Sequence, residues 1–348
     1  MADSLLLESL EQALAEVSVR SGIAVAVSGG PDSSALAICA RQWARERGLE
    51  LRLFHVHHGL HNLADQWTSK VQQLADLLEC ALAIQNVTVD LTSGHGVEGA
   101  ARNARYRAIE AMAVAHNIDV ILLAHHQQDQ AETVLMRLLR GSGVTGLAAM
   151  SPVSRRKSLC WVRPWLNVSR EVILEQLASF SAQTGWLPVD DPSNIDDAFA
   201  RGTLRTKVIP AVSGHWPAWQ QTLARHAEQA AAADRLLIRY GQQLLGQLDL
   251  KIKSPWPVLS LERWRELPPD EQALVIRVWL RLAGVQMPTE RRLTELVRQL
   301  RQLHALGHDR KLHWNQSDCQ ISCIRGQLHL HVKITGFEGE NPSSLAET

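Results

Sequence analysis

The sequence predicts an α/β fold, a doubly wound parallel sheet followed by a helical spacer and a small α+β domain. Short β-branched runs, Ile23 to Val27, Leu51 to Val56, Leu82 to Val89 and Val120 to Ala124, alternate with amphipathic helical stretches through the first half, the pattern of parallel strands joined by crossover helices. Those runs are nearly continuously apolar, as expected when helices cover both faces of a sheet. A third observation marks the end of that body: Trp219 to Leu248 form one long helical pattern with an alanine core at Ala230 to Ala233.

The 348 residues exceed what one hydrophobic core usually serves. The expected division is a nucleotide-binding body over 1–212, a helical linker over 213–248, a small α+β domain over 249–333 and a polar, disordered tail over 334–348. In the small domain two helices, Asp270 to Ala283 and Thr289 to Leu306, precede strand-like runs at Lys311 to Trp314 and Gln327 to Lys333. Asp270 and Thr289 follow prolines and are expected to accept from orphan amides at the helix starts.

Lys plus Arg number 36 and Asp plus Glu number 36, so net charge points to no polyanionic partner and an RNA partner must be sought in local patches. Two such patches are Arg155-Arg156-Lys157 with Arg163 and Arg170, and Arg201, Arg205 and Lys207, where phosphate contact is expected. The five cysteines are scattered, odd in number and without a CxxC pair, which suits a reducing compartment. The N-terminus reads as a short amphipathic helix rather than a signal sequence, and no run approaches a membrane span. A cytoplasmic location is the resulting expectation.

The chemistry begins at Ser28-Gly29-Gly30-Pro31-Asp32-Ser33-Ser34, which lies between the first strand and a helical pattern. Amides at such a helix start bind anions. Gly29 and Gly30 remove side chains where a phosphate must approach, and the hydroxyls of Ser28, Ser33 and Ser34 add donors. A tight turn with a serine cap is the plainer alternative, but the strand-loop-helix order favours phosphate. The lysine of a GxxxxGK[ST] loop is absent, and Asp32 would repel phosphate unless Mg²⁺ lay between them.

This loop resembles the SGGxDS PP-loop of enzymes that split ATP into AMP and pyrophosphate. Further motifs, His57-His58-Gly59-Leu60, Glu98 to Tyr106 with Arg102 and Arg105, His125-His126-Gln127-Gln128-Asp129-Gln130-Ala131-Glu132-Thr133 with Arg137 and Arg140-Gly141-Ser142-Gly143, and Asp191-Pro192-Ser193-Asn194 with Phe199, Arg201 and Arg205, are similar to those of the tRNA(Ile)-lysidine synthetase family. The likeness spans Gly22 to Val332. His61, Gln128 and Gly202 stand where that family often has Arg, Asp and Asn, and the resemblance is to a short form, expected to be without the third domain of the longer members.

The resemblance implies an ATP-dependent, carbon–nitrogen bond-forming ligase with ATP and Mg²⁺ as cofactors. Its partners would be free L-lysine and an isoleucine tRNA with a CAU anticodon, and a homodimer is compatible with it. Carbon 2 of the wobble cytidine would be adenylated, then lysine would displace AMP. Ser28, Gly29, Gly30, Pro31, Asp32 and Ser33 would bind pyrophosphate. Arg105 would stabilise developing charge, Asp129 and Glu132 beside His125 would receive and deprotonate the amine, Asp32 and Asp129 would hold Mg²⁺, and Arg201 and Arg205 would contact tRNA. A lysine ammonium has an ordinary pKa of about 10.4 and must lose its proton before it attacks. Two rival readings are a PP-loop tRNA cytosine thiolase, which commonly needs CxxC pairs, and a non-catalytic nucleotide- or RNA-binding module.

Overall fold

The structure, a computed structural model, describes residues 2–20, 22–59, 63–89, 96–156, 158–190, 200–303, 312–316 and 318–332. Segment 191–199, with the Asp191-Pro192-Ser193-Asn194 motif, and the tail expected to be disordered lie outside them. The chain forms two compact units, Met1–Ala231 and Ala232–Thr348.

The first unit runs α1 (Ala2–Ala15), β1 (Ile23–Ala26), α2 (Pro31–Glu46), β2 (Leu51–His57), α3 (Ala64–Leu77), β3 (Ala81–Asn86), α4 (Gly96–Ala115), β4 (Val120–Leu122), α5 (Gln127–Leu139), α6 (Val144–Leu147), β5 (Val153–Arg156), β6 (Leu159–Val162), α7 (Arg170–Thr184), α8 (Ala200–Thr203), a π-helical turn (Leu204–Val208), α9 (Ile209–His215) and the start of α10 (Trp219–Leu248). Its sheet has the order β3-β2-β1-β4-β6-β5, parallel except for the edge strand β5.

Strand alternation sends Ile23 and Val25 into a core with Leu6, Leu36, Leu74, Trp165 and Ile173 on one face, and Ala24 into a second core with Phe54, Ile109, Met112, Ile121 and Trp161 on the other. Both faces are therefore covered, which is why the strands read as continuous apolar runs. The β5–β6 hairpin was not among the strands expected from the sequence. Leu159–Val162 is wholly buried and pairs with β4, while Arg155-Arg156, expected on RNA, lies on the antiparallel edge, with Arg156 paired to Glu110.

The second unit contains the end of α10, β7 (Leu259–Ser260), α11 (Leu261–Glu266), α12 (Pro269–Leu282), α13 (Glu290–Gln302), β8 (Leu312–Asn315), β9 (Cys319–Ile324) and β10 (Gln327–Val332). An antiparallel sheet in the order β7-β10-β9-β8 contributes Trp314, Ile321, Leu328 and Leu330 to one core with Trp264, Trp279, Leu296 and Leu300. Thr289 occupies the N-cap of α13 without a side-chain bond, and Asp270 lies in the first turn of α12 behind Pro268, the N-cap. No described helix is long and apolar enough to cross a membrane.

Candidate active site

The strand order places the site. β1 and β4 are neighbours, but β2 and β3 extend the sheet beyond β1 while β6 and β5 extend it beyond β4, so the C-terminal ends of β1 and β4 open a crevice at a topological switch point. The loop 28–34 follows β1 and the His125-His126 pair follows β4.

The loop is fastened by its own serines. The Ser28 amide donates to Ser33 Oγ at 3.1 Å, and the hydroxyls of Ser33 and Ser34 donate to the Gly30 carbonyl at 3.2 and 2.9 Å. Pro31 opens α2, where a missing N–H costs nothing. Gly29 has φ +90°, and a Cβ there would come within 3.0 Å of Val189 Cγ2 and 3.2 Å of Val71 Cγ2. Backbone conformation and packing therefore demand this glycine before any ligand does. The Val189 amide also donates to the Gly29 carbonyl at 2.8 Å.

At the other lip, α5 begins at Gln127 with His126 as N-cap, and the Asp129 carboxylate reaches back to accept from the His126 amide at 3.2 Å. Asp129 and Glu132 thus share the first turns of one helix, close to its positive end. His126 Nε2 stands 3.4 Å from Asp129 Oδ2 and 3.8 Å from Asp32 Oδ1, so one imidazole lies between the loop's acid and the helix's acid. His125 is a neutral ring: burial and then the positive charges of Arg163, Arg102 and Arg201 hold its pKa well below the usual histidine value. Its Nδ1 is buried with no hydrogen-bond partner among the described residues.

Glu132 is fully buried. Arg201 donates to it at 2.7 Å and to Asp129 at 2.8 Å, Arg205 donates to both of its oxygens, and Gln128 adds a bond at 2.9 Å. Burial alone would raise the Glu132 pKa, but Arg205 and Arg201 outweigh it and the carboxyl titrates below its ordinary value. Arg201 and Arg205, expected on tRNA, are therefore drawn onto the carboxylates of the site. They come from α8 and from a π-helical turn, a rare local geometry that recurs at functional sites.

Arg105 lies on α4, and its Nε donates to His58 Nε2 at 3.3 Å. Burial, then Arg105 itself, depress the His58 pKa to about 4, so the ring is neutral near pH 7 and can accept this bond. Two participants escaped the sequence reading. His126 was visible only as one half of a histidine pair. Arg170, assigned to RNA, instead donates to both Asp32 oxygens at 3.1 and 3.4 Å. Arg163 of the same expected patch is buried, donating to the Ser151 carbonyl and Ser154 Oγ. Other signature residues shape the scaffold: Gln130 exchanges two bonds with the Met150 backbone, and Arg137 holds the Gly146 and Ala149 carbonyls.

No group of three or more His, Cys, Asp or Glu side chains able to hold a metal occurs among the described residues. Mg²⁺, however, commonly needs only one or two carboxylates together with substrate phosphates. Asp32 and Asp129, brought to one imidazole beside the phosphate loop, fit that donor set.

A glycine-serine loop between β1 and α2, facing carboxylates beyond β4, defines the class of PP-loop nucleotide-using proteins. The PP-loop domain family matches residues 4–212, and the TilS substrate binding domain matches residues 259–329. The chain is 47% identical over 309 residues to the tRNA(Ile)-lysidine synthases of Bordetella bronchiseptica and Bordetella pertussis, covering 88% of this chain and 88% and 94% of theirs. Against the tRNA(Ile)-lysidine synthase of Ralstonia nicotianae the identity is 39% over 280 residues, 80% of this chain and 58% of that one. The chain belongs to the tRNA(Ile)-lysidine synthase family. Among solved structures, a U34-tRNA thiolase from Methanococcus maripaludis with its [4Fe-4S] cluster superposes with a TM-score of 0.54 at 12% identity, over 66% of this chain and 78% of that one. That likeness is one of fold.

Proposed function

We propose that this chain, acting in the cytoplasm, uses ATP to attach free L-lysine to carbon 2 of the wobble cytidine in an isoleucine tRNA with a CAU anticodon. In the first step the cytosine carbonyl oxygen bonds to the α-phosphorus of ATP and pyrophosphate leaves. In the second, the lysine side-chain amine bonds to carbon 2, the carbon–oxygen bond to AMP breaks, and the amine's proton passes to a base.

The observation that carries this reading is the placement of His126 Nε2 between Asp32 Oδ1 and Asp129 Oδ2, at 3.8 and 3.4 Å. It joins a phosphate-binding loop to an ammonium-binding carboxylate within one crevice. The loop from Ser28 to Ser33 orients the phosphates with amides at the head of α2, and Arg105, aimed by neutral His58, offsets charge as pyrophosphate departs. Asp32 and Asp129 would hold Mg²⁺, which when bound neutralises phosphate charge. Asp129 receives the lysine ammonium. Glu132, with both oxygens engaged by arginines, fixes Arg201 and Arg205 rather than taking a proton. Those two guanidiniums also favour the neutral amine that must attack.

Mass analysis of isoleucine tRNA incubated with ATP, Mg²⁺ and isotopic lysine tests the proposal. The expected product is a wobble nucleoside carrying one labelled lysine. Label found in no nucleoside, or at another position, overturns it.

A further inference from the structure

Trp216 stands apart from the buried tryptophans. Trp161, Trp165, Trp264 and Trp279 are among the largest fully buried side chains, whereas Trp216 is 65% exposed. An exposed leucine needs no account, but a bulky indole held in water by an ordered backbone does. The backbone here is ordered: the Trp216 amide donates to Val212 in α9, and the Trp219 amide donates to the Trp216 carbonyl across Pro217 and Ala218. Trp219, buried to 5%, anchors the turn. Pro217 keeps Trp216 out of the helical region, and the residue is observed at φ −127° and ψ 78°. One tryptophan of the turn is thus pinned inside and the other is presented outward, with the His215 ring 5.7 Å away and tilted by 41°.

The surroundings state what such a ring meets. Although the chain as a whole has no net charge, residues 200–227 contain Arg201, Arg205, Lys207 and Arg225 and no Asp or Glu. Arg201 and Arg205 are committed to Asp129 and Glu132, but His215, Arg225 and His226 are exposed. A hydrophobic protein partner would not select a cationic, histidine-flanked rim. A polyanion with flat aromatic faces does, since base stacking on aromatic side chains combines with charge along the backbone.

We propose that Trp216 is a stacking platform for an unpaired nucleobase of the tRNA loop that carries the modified cytidine. This rests on the tRNA reading given above. The span fits: at about 1.5 Å per helical residue, the eleven residues from Arg205 to Trp216 reach roughly 16 Å from the carboxylate cluster. At roughly 3.4 Å per stacked nucleotide that is within about five nucleotides of the reacting base. Trp216 would position RNA without touching the reacting atoms.

The test measures affinity for the unmodified isoleucine tRNA transcript with wild type, W216A and W216F, together with ATP affinity and thermal midpoint. W216A should bind the transcript roughly five- to a hundred-fold more weakly, W216F should recover most of that loss, and ATP affinity and midpoint should stay at wild-type values. Abasic substitutions scanned through the loop should reveal one position whose removal weakens wild type but not W216A. Wild-type transcript affinity in W216A overturns the stacking role while leaving the functional reading standing. An equal loss in W216A at every abasic position overturns it too, by showing that no particular base is read. A wild-type protein that binds ATP but no tRNA overturns the functional reading and this one with it.

Discussion

Both oxygens of Glu132 accept from a single guanidinium, Arg205 Nε at 2.8 Å and Nη2 at 3.0 Å. With Arg201 and Gln128 added, the four acceptor positions of a carboxylate are filled. Substituting Glu132→Gln leaves Asp129 as the remaining carboxylate for both guanidiniums, at 2.8 Å from Arg201 and 3.5 Å from Arg205, and should cost on the order of 3 kcal/mol, near the low end for a buried pair because Asp129 stays and both arginines reach solvent. For a body of this size that lowers the thermal midpoint by roughly 6–12 °C. The pH dependence has a definite sign. The Glu132 pKa is lowered from 4.5, so its contribution is complete above that pH and is lost as pH falls through the folded-state value. Melting curves from pH 7 to pH 3 should show this acid loss in wild type and less of it in the variant; parallel curves would contradict the role.

Asp129 shares Arg201 with Glu132 but keeps an oxygen facing His126. Asp129→Asn removes the charge proposed to receive an ammonium and should slow isotopic lysine incorporation by at least about a hundred-fold. Turnover close to wild type would remove Asp129 from the chemistry.

Arg105→Ala should slow tRNA-dependent release of pyrophosphate by roughly 100- to 1,000-fold, the scale of losing one donor to developing charge. His58→Ala keeps that guanidinium but frees its aim, and a loss of about ten-fold is expected. Because His58 has a pKa of about 4, the wild-type single-turnover rate should show no His58 titration between pH 6 and pH 8. Equal effects of the two substitutions would contradict the division between a charge and its support.

The two glycines of the loop should differ. Gly29→Ala meets Val189 and Val71 at a φ of +90° and should cost about 1–3 kcal/mol with weakened ATP binding. Gly30, at φ −71° and with Ser28 Oγ 3.4 Å from where a Cβ would lie, should tolerate alanine better. Calorimetric titration with ATP and melting midpoints on both variants check the order, and a reversed order would show that phosphate approach at Gly30 outweighs backbone conformation at Gly29.

Much of the first unit was legible because burial on both faces forces strands such as Ile23–Ala26 and Val120–Leu122 into unbroken apolar runs. The β5–β6 hairpin was not, since its apolar part is four residues long and its other strand is charged. The loop at Ser28 to Ser33 and the acids at Asp129 and Glu132 stood out through local spacing. Their partners did not: Arg170 lies 138 residues from Asp32, and Arg201 lies 69 from Glu132. A basic residue's sequence neighbours say nothing about an acid brought to it by topology, so the arginines that pair with these acids were read as RNA contacts alone.

Pyrophosphate exchange into ATP is the most direct measure of whether the loop and the acids beyond β4 serve one reaction on RNA. With Mg²⁺ and isoleucine tRNA, and lysine left out, labelled pyrophosphate should return to ATP, because the proposed reaction activates the base before the amino acid is needed. Exchange that requires lysine but proceeds without tRNA would mean that the amino acid is activated instead, and would contradict the account.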